Sequence, residues 1–477
     1  MTAPPTRGRD ETAAWRGDTD GPSDAEPRAA EDVAEQSTSS ARGAPAPARA
    51  WARSDAGVPS RPRRDPSPFR PAPTRSPQRR VASQWPQFEE DELAAAQRVL
   101  RSGKVNYWTG EEGRAFEQEF AAAHGCCWGV AVANGTVALE AALHAIGIAA
   151  GDEVVVAPRT FVASASAVIL RGARPVFADV DPESQNITAD TVRAVLTTRT
   201  RAIICVHLAG WPCDMPAILD LAAAHRLWVV EDCAQAHGAA IAGRPVGSFG
   251  HIAAFSFCQD KIMTTGGEGG LVTTNDRNLW AKTWSYKDHG KSWEAVYERA
   301  HPPGFRWLHE SFGTNARMTE VQAAIGRVQL RKLPGWLERR RSNAGVLLNR
   351  CRHLPALRVP VPPENVAHAY YKAYVFVRPE RLRNGWDRDR IMAELIGRGV
   401  PCLAGSCSEI YREKAFVAAG LGPAQALPLA RQLGETSLMF PVDHTLDTEA
   451  MRTVAGAVQE VVTMASRSDA ACRREAG

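Results

Sequence analysis

The sequence predicts an α/β fold. It has a large domain on a mostly parallel sheet, a smaller C-terminal α+β domain and a disordered N-terminal tail. Three observations carry this. Short apolar strands alternate with helical segments between residues 129 and 274. The first 84 residues lack the apolar content to build a core. A long helical stretch after Thr319 leads into a second set of elements. Apolar strands separated by amphipathic helices imply a parallel sheet covered on both faces.

The tail comes first. Residues 1–84 hold 13 of the 32 prolines, with 14 Arg and no Lys. Apart from Met1, the only aliphatic residues larger than Ala are Val33, Val58 and Val81. Such a segment cannot offset its ordering entropy by burial. Residues 1–40 carry a net −5 and residues 41–82 a net +8. Three readings stay open: an appendage without a specific role, an extension from a mis-assigned start (no Met follows Met1 until Met215), or a basic arm for an acidic partner.

The folded part starts at Trp85. Glu89–Ser102 reads as a helix with Leu93, Ala96, Val99 and Leu100 on one face, and Gly103 stops it. Glu112–His124 is a second helix. Strands follow at Gly129–Ala133, Glu153–Ala157, Pro175–Val180, Ala202–Leu208, Leu227–Glu231, His251–Phe257 and Gly270–Thr274. Helices at Ala138–Ile146, Phe161–Leu170, Thr188–Leu196 and Met215–His225 separate the first five. After Thr319 a helix runs through Lys332, breaks at Pro334 and resumes to Arg352. An extended segment at Ala373–Arg378 and helices at Arg388–Arg398 and Thr448–Ala465 complete the chain. The expected organisation is tail 1–84, large domain 85–335, small domain 336–465 and frayed tail 466–477.

Composition excludes several classes. Hydrophobic residues make up 44% and charged residues 23%, an ordinary globular balance. No apolar run approaches the roughly 20 residues a membrane helix needs, and the N-terminus has no signal-peptide core. A net charge of +4 over 477 residues does not argue for nucleic acid. Ten cysteines, none in a C-x-x-C pair, disfavour a disulfide framework or a structural zinc site and suit a reducing cytoplasm. No metal is expected.

Ligands on such sheets bind at the carboxyl ends of the strands. Three runs fall there. Ala254–Lys261 ends an apolar strand in a lone lysine, followed by the glycines of Gly266–Gly270. A partly desolvated lysine suits Schiff-base chemistry, although a surface lysine in a turn reads the same way. Val229–Gly238 delivers Glu231 and Asp232 to a strand end, with Gln235 and His237 beyond. Asn134-Gly135-Thr136 joins a strand to a helix and makes a generic anion cradle. It is not a P-loop, and no G-x-G-x-x-G follows the first strand, which disfavours a dinucleotide oxidoreductase. Together, a phosphate cradle, a carboxylate and a lysine are what pyridoxal 5′-phosphate requires.

From about Trp85 to Ala465 the sequence resembles the DegT–StrS sugar aminotransferase family, fold type I pyridoxal-phosphate enzymes. The motifs recur in that family's order: Gly135-Thr136 before a helix, Thr-Phe-Val-Ala at 160–163, Glu-Asp-x-Ala-Gln-Ala-His-Gly at 231–238, Ser-Phe-x-x-x-Lys at 256–261 and Gly-Thr-Asn-x-Arg at 313–317. The resemblance implies that Lys261 is the Schiff-base lysine and that Asp232 pairs with the pyridine nitrogen. Gln235 would bond the phenolic oxygen. Phe161 would stack on the ring. Gly135, Thr136 and Ser256 would hold the phosphate. Asn315 would reach the cofactor of a neighbouring subunit, making a homodimer. His237 is left open between a structural and a catalytic role. Asp260 and Cys258 depart from the usual pattern, and Asp260 is expected to point away from the site.

The activity implied is transfer of an amino group from L-glutamate or L-glutamine to a keto sugar, most simply a nucleotide-linked 4-keto-6-deoxyhexose for surface polysaccharide. An amino-cyclitol or aminohydroxybenzoate-type aminotransferase is the alternative. A cofactor-binding regulatory or scaffold protein is the alternative of another class, and the Lys261, Asp232 and Gln235 set argues against it. Asn106–Gly110, Trp284–Trp307 and Cys407–Tyr411 are expected at the entrance. Trp293, Tyr297 and Trp307 either stack on substrate or pack the loop.

Overall fold

The computed structural model describes residues 81–467. Most of the expected N-terminal tail (1–80) and of the C-terminal tail (468–477) lies outside the described residues. Residues 81–84, assigned to the tail by sequence, make contacts. Val81 packs on the C-terminal core, and the Gln84 amide donates to Thr445 Oγ1 at 3.0 Å.

Helices α1 (Glu90–Ser102) and α2 (Glu112–Ala123) precede the sheet. Gly103 ends α1 at φ 68°, the left-handed conformation a glycine adopts without strain. The chain then alternates: β1 (Trp128–Val132), α3 (Gly135–Ala145), β2 (Glu153–Val156), α4 (Ala163–Leu170), β3 (Arg174–Phe177), α5 (Ala189–Arg193), β4 (Thr200–Val206), α6 (Met215–His225) and β5 (Trp228–Asp232). A short hairpin of β6 (Ala240–Ile241) and β7 (Arg244–Pro245) leads to β8 (Ile252–Ser256) and β9 (Gly270–Thr274).

Seven strands form one sheet in the order β1-β9-β8-β5-β4-β2-β3. Strands β3, β2, β4, β5 and β8 are parallel. Strand β9 runs antiparallel to both β8 and β1. The link from β8 to β9 folds back through turns and carries no crossover helix, so β9 must reverse. One face is packed by Leu139, Leu143, Ala165, Val168, Ile218 and their neighbours. The other is covered by Phe116, Phe120 and the helix that starts at Glu320.

After β9 come α7 (Arg277–Lys287), α8 (Trp293–Tyr297) and α9 (Glu320–Cys351). The expected break at Pro334 does not occur: α9 is one helix of 32 residues with the proline inside it. A proline costs the helix the bond to the carbonyl four residues back. Burial on both sides offsets that loss, since Leu333 and Leu337 enter the aromatic core and Leu347, Leu348 and Cys351 enter the C-terminal core. The same helix thus runs through residue 335, where the sequence puts the domain boundary.

The C-terminal part adds β10 (Leu357–Arg358), β11 (Val366–Ala367), β12 (Ala373–Val377), α10 (Arg388–Gly397), α11 (Lys414–Ala418), α12 (Pro428–Thr436), β13 (Ser437–Phe440) and α13 (Thr448–Ala465). Strands β10, β12 and β13 make an antiparallel sheet with its own core, which includes Val375, Val377, Leu438, Val458 and Val462. Strand β11 returns to pair with β6. Among the described residues no helix is long and apolar enough to cross a membrane.

Candidate active site

The polar residues singled out by sequence leave the sheet at one edge. They follow the carboxyl ends of β1, β2, β5 and β8.

Strand β5 ends in Glu231 and Asp232, both buried. The two carboxylates have different environments. Glu231 Oε1 accepts from the amides of Phe249 and Gly250, and Oε2 accepts from the Gly247 amide and His207 Nε2, all at 2.7–3.0 Å. His207 Nδ1 accepts from the Cys213 amide, so Nε2 carries the proton given to Glu231. His207, Glu231 and Cys233 cluster closely enough to suggest a metal centre. The acceptor atoms of His207 and Glu231 are already engaged by hydrogen bonds, so Glu231 serves as an anchor for the strand end. Sequence reasoning did not find His207; it lies 24 residues from its partner and has no motif.

Asp232 has fewer bonds. Ser164 Oγ donates to Oδ2 at 2.8 Å and the Ala234 amide to Oδ1 at 3.1 Å. Burial pushes its carboxyl above the ordinary range, against the pull of Ser164, the Ala234 amide and the Lys261 charge. A buried carboxylate held there lacks a full cationic partner, and a protonated ring nitrogen fits that need. Gln235 is fixed by its oxygen, which accepts the Ala209 amide at 2.8 Å. That leaves its amide NH₂ to donate outward.

The loop after β2 carries Arg159, Thr160 and Phe161. Helix α4 starts at Ala163, later than the sequence suggested, so Phe161 sits before it with 66% of its surface exposed. A large exposed ring at a sheet edge suits stacking on a planar ligand. Arg159 is fully buried and binds Gln185 Oε1, the Ser406 carbonyl, Ser408 and Ser437 Oγ. It ties this loop to the Cys407–Tyr411 segment.

Gly135 opens α3 beside the end of β8. A Cβ there would lie 2.5 Å from Ser256 Cβ. Asn134 Oδ1 takes the Val137 amide and its carbonyl takes that of Ala138. The Gly135 and Thr136 amides have no partner among the described residues. Two free amides at a helix start, next to the Ser256 hydroxyl, are the donor set a phosphate requires. The residues present therefore fit pyridoxal 5′-phosphate.

Lys261 follows β8 in a turn closed by its own amide on the Cys258 carbonyl at 3.0 Å. Trp85 Nε1 donates to the Lys261 carbonyl at 2.8 Å. Asp260 does not point away as expected. Its Oδ1 is 3.7 Å from Lys261 Nζ, and its Oδ2 accepts from the Tyr371 hydroxyl. The turn puts both side chains on one side, and Tyr371 holds the carboxylate there.

His237 packs among the rings of Phe120, Phe255 and Phe257, fully buried. Burial pushes its pKa well below the ordinary value, so the ring is neutral. Trp293 packs on Trp280 and Trp284, and Tyr297 stacks on Trp108 and accepts from Arg114. Trp307 stays 81% exposed, edge-on to Phe305. Asn315 is exposed and bridges to Asp288.

Residues 86–459 match the DegT/DnrJ/EryC1/StrS aminotransferase family. The X-ray structure of an aminotransferase from Psychrobacter cryohalolentis superposes with a TM-score of 0.79 at 55% identity, covering 80% of this chain and 99% of that one. The dTDP-3-amino-3,4,6-trideoxy-alpha-D-glucose transaminase of Streptomyces venezuelae is 36% identical over 370 residues, 77% of this chain and 91% of that protein. The GDP-perosamine synthase of Escherichia coli O157:H7 is 34% identical over 345 residues, 72% of this chain and 88% of that protein.

Proposed function

Since this chain belongs to the DegT/DnrJ/EryC1/StrS aminotransferase family and is a pyridoxal 5′-phosphate-dependent sugar aminotransferase, we propose that it aminates a nucleotide-linked 4-keto-6-deoxyhexose with L-glutamate or L-glutamine as donor. The observation that carries the site assignment is the convergence of Lys261 and the buried Asp232 from the neighbouring strands β8 and β5. The relatives named for dTDP- and GDP-linked amino sugars support the substrate class.

When bound, the cofactor supplies a ring that withdraws electrons from the donor Cα. Lys261 Nζ would hold it covalently and, once exchanged for the donor amine, would be free to act as the base. The freed Nζ would take the proton from the donor Cα, and in the second half-reaction it would deliver a proton to the former carbonyl carbon of the keto sugar, which becomes the aminated carbon. Asp232 accepts a hydrogen bond from the ring nitrogen and keeps it protonated. Gln235 donates to the phenolic oxygen. Phe161, with its exposed ring, would stack on the cofactor ring. Gly135, Thr136 and Ser256 bind the phosphate. Asn315 of the partner subunit completes that cradle, so the active unit is a homodimer working in the cytoplasm. Residues 336–465 serve as the small domain, and residues 1–80 take no part in catalysis.

The test is the absorption spectrum of the purified protein, wild type beside Lys261→Ala. The wild type should show a visible band that L-glutamate bleaches and that Lys261→Ala lacks. Adding dTDP-, UDP- or GDP-linked 4-keto-6-deoxyhexose should then restore the band and give an amino sugar by mass spectrometry. A wild type that binds no cofactor would overturn the assignment of Lys261 and Asp232.

A further inference from the structure

We propose that Asp260, aimed by the Tyr371 hydroxyl, is the counter-ion of the Lys261 nitrogen. It holds Nζ whenever that nitrogen is free and protonated, and it steadies the charge gained when Nζ takes the donor's proton. The inference rests on Lys261 being the amine that bonds the cofactor.

The geometry is specific. Lys261 Nζ lies 3.7 Å from Asp260 Oδ1 and 5.2 Å from the Tyr371 ring centroid. The lysine side chain is only 14% exposed. Neighbouring side chains on an extended strand point to opposite faces, but the turn at Cys258–Lys261 brings these two together. Tyr371 in turn is held at three points. Its amide donates to the Ala209 carbonyl at 2.9 Å, its carbonyl accepts from Arg340 Nη1 at 3.3 Å, and its hydroxyl reaches Asp260 Oδ2. Ala209 and Tyr370 on either side of that contact both have positive φ, at 57° and 48°. Non-glycine residues sit in this region only where surrounding structure imposes it, commonly at functional sites. Ala209 also holds Gln235, so one backbone position links the expected phenolic-oxygen donor to the holder of Asp260.

Other charged and titratable groups near Lys261 do not offer the same service. Asp232 is bonded to Ser164 and assigned to the ring nitrogen. His237 is neutral and enclosed by phenylalanine rings. Lys372, 4.9 Å from the Tyr371 ring centroid, is a cation that also favours a charged Asp260. Burial pushes the Asp260 carboxyl up, and Lys261, Tyr371 and Lys372 together bring it below its ordinary value. Burial and the charge of Asp260 hold Tyr371 far above its ordinary value, so it stays a donor.

Asp260 acts through Lys261 and is a positioning residue, so the test reads the lysine itself. The full-length apo-protein is labelled with acetic anhydride at pH 8, and Lys261 modification is followed by peptide mass spectrometry. Loss of the carboxylate releases Nζ from its ion pair. Labelling of Lys261 should therefore speed up about 3–10-fold in Asp260→Asn, and by less in Tyr371→Phe, while other lysines keep their rates. In the holoenzyme, the pH at which the visible band changes form should move down in Asp260→Asn. Circular dichroism checks that both variants fold; Asp260 is half-exposed, and its amide replacement keeps the shape. Unchanged Lys261 labelling in a folded Asp260→Asn protein overturns the proposal. A visible band that survives Lys261→Ala overturns the cofactor assignment instead and leaves the labelling result standing.

Discussion

Ser164 Oγ lies 2.8 Å from Asp232 Oδ2, and Thr160 Oγ1 lies 2.9 Å from Ser164 Oγ. The loop that exposes Phe161 therefore also fixes the carboxylate at the end of β5. The ring stacking proposed for Phe161 and the support of Asp232 would thus share one short segment, Thr160–Ser164, which Arg159 precedes.

Ser164→Ala should weaken cofactor binding. The serine hydroxyl bonds a fully buried carboxylate, and a hydrogen bond to a charged group is worth about 1.5–3 kcal/mol. Its loss also lets burial push Asp232 further up. Equilibrium titration of apo-protein with pyridoxal 5′-phosphate should show affinity down by about tenfold or more, and the melting temperature should fall as well, since the bond is already made without cofactor. Equal affinity in the variant would mean that the Ala234 amide alone holds Asp232.

Gly135→Ala tests the cradle. The added Cβ would meet Ser256 Cβ at 2.5 Å, so α3 and β8 must move apart. Overpacking of this kind costs about 1–3 kcal/mol, and cofactor affinity should fall along with thermal stability. The double variant Gly135→Ala with Ser256→Gly should recover the stability but not the affinity, because the hydroxyl is gone. Recovery of both would remove Ser256 from the phosphate site.

Glu231→Gln should remove an acid-sensitive part of the stability. Burial pushes the Glu231 carboxyl up, but His207 and the amides of Gly247 and Gly250 outweigh it, and the net value lies below the ordinary 4.5. A group lowered on folding stabilises fully above its unfolded value and loses that effect as pH falls through its folded value. Denaturant unfolding should show wild-type stability dropping below pH 4.5, with a shallower drop in the variant. At pH 7 the variant should be less stable by about 3–5 kcal/mol, since its NH₂ faces backbone donors in a buried site. Parallel curves for the two proteins would show that Glu231 carries no such linkage.

The strand-end residues were readable because the chain announces them. An apolar run that stops at Glu231-Asp232, or at Ser256 before Lys261, marks the carboxyl edge of a parallel sheet by local pattern alone. The contacts that aim those residues were not readable. Ser164 meets Asp232 across 68 positions and Tyr371 meets Asp260 across 111. Neither pairing leaves a trace in local spacing, so Asp260 was expected on the wrong side. Pro334 misled for a related reason. Its intrinsic cost is local, while the burial of Leu333, Leu337, Leu347 and Leu348 that carries α9 through it depends on two cores built elsewhere.

Asn315 decides whether the site belongs to one chain or two. It is exposed, as a residue reaching into a second copy would be. If Asn315 of the partner subunit completes the cradle, the two sites of a C2 dimer each combine Lys261 of one chain with Asn315 of the other. Lys261→Ala and Asn315→Ala proteins would each be inactive or nearly so. Unfolded together and refolded as an equal mixture, they should regain about a quarter of the wild-type sites, because half of the dimers are mixed and each mixed dimer holds one intact site. Turnover and the visible band should return together. If each site were built from a single chain, every site would keep one defect and mixing would restore nothing.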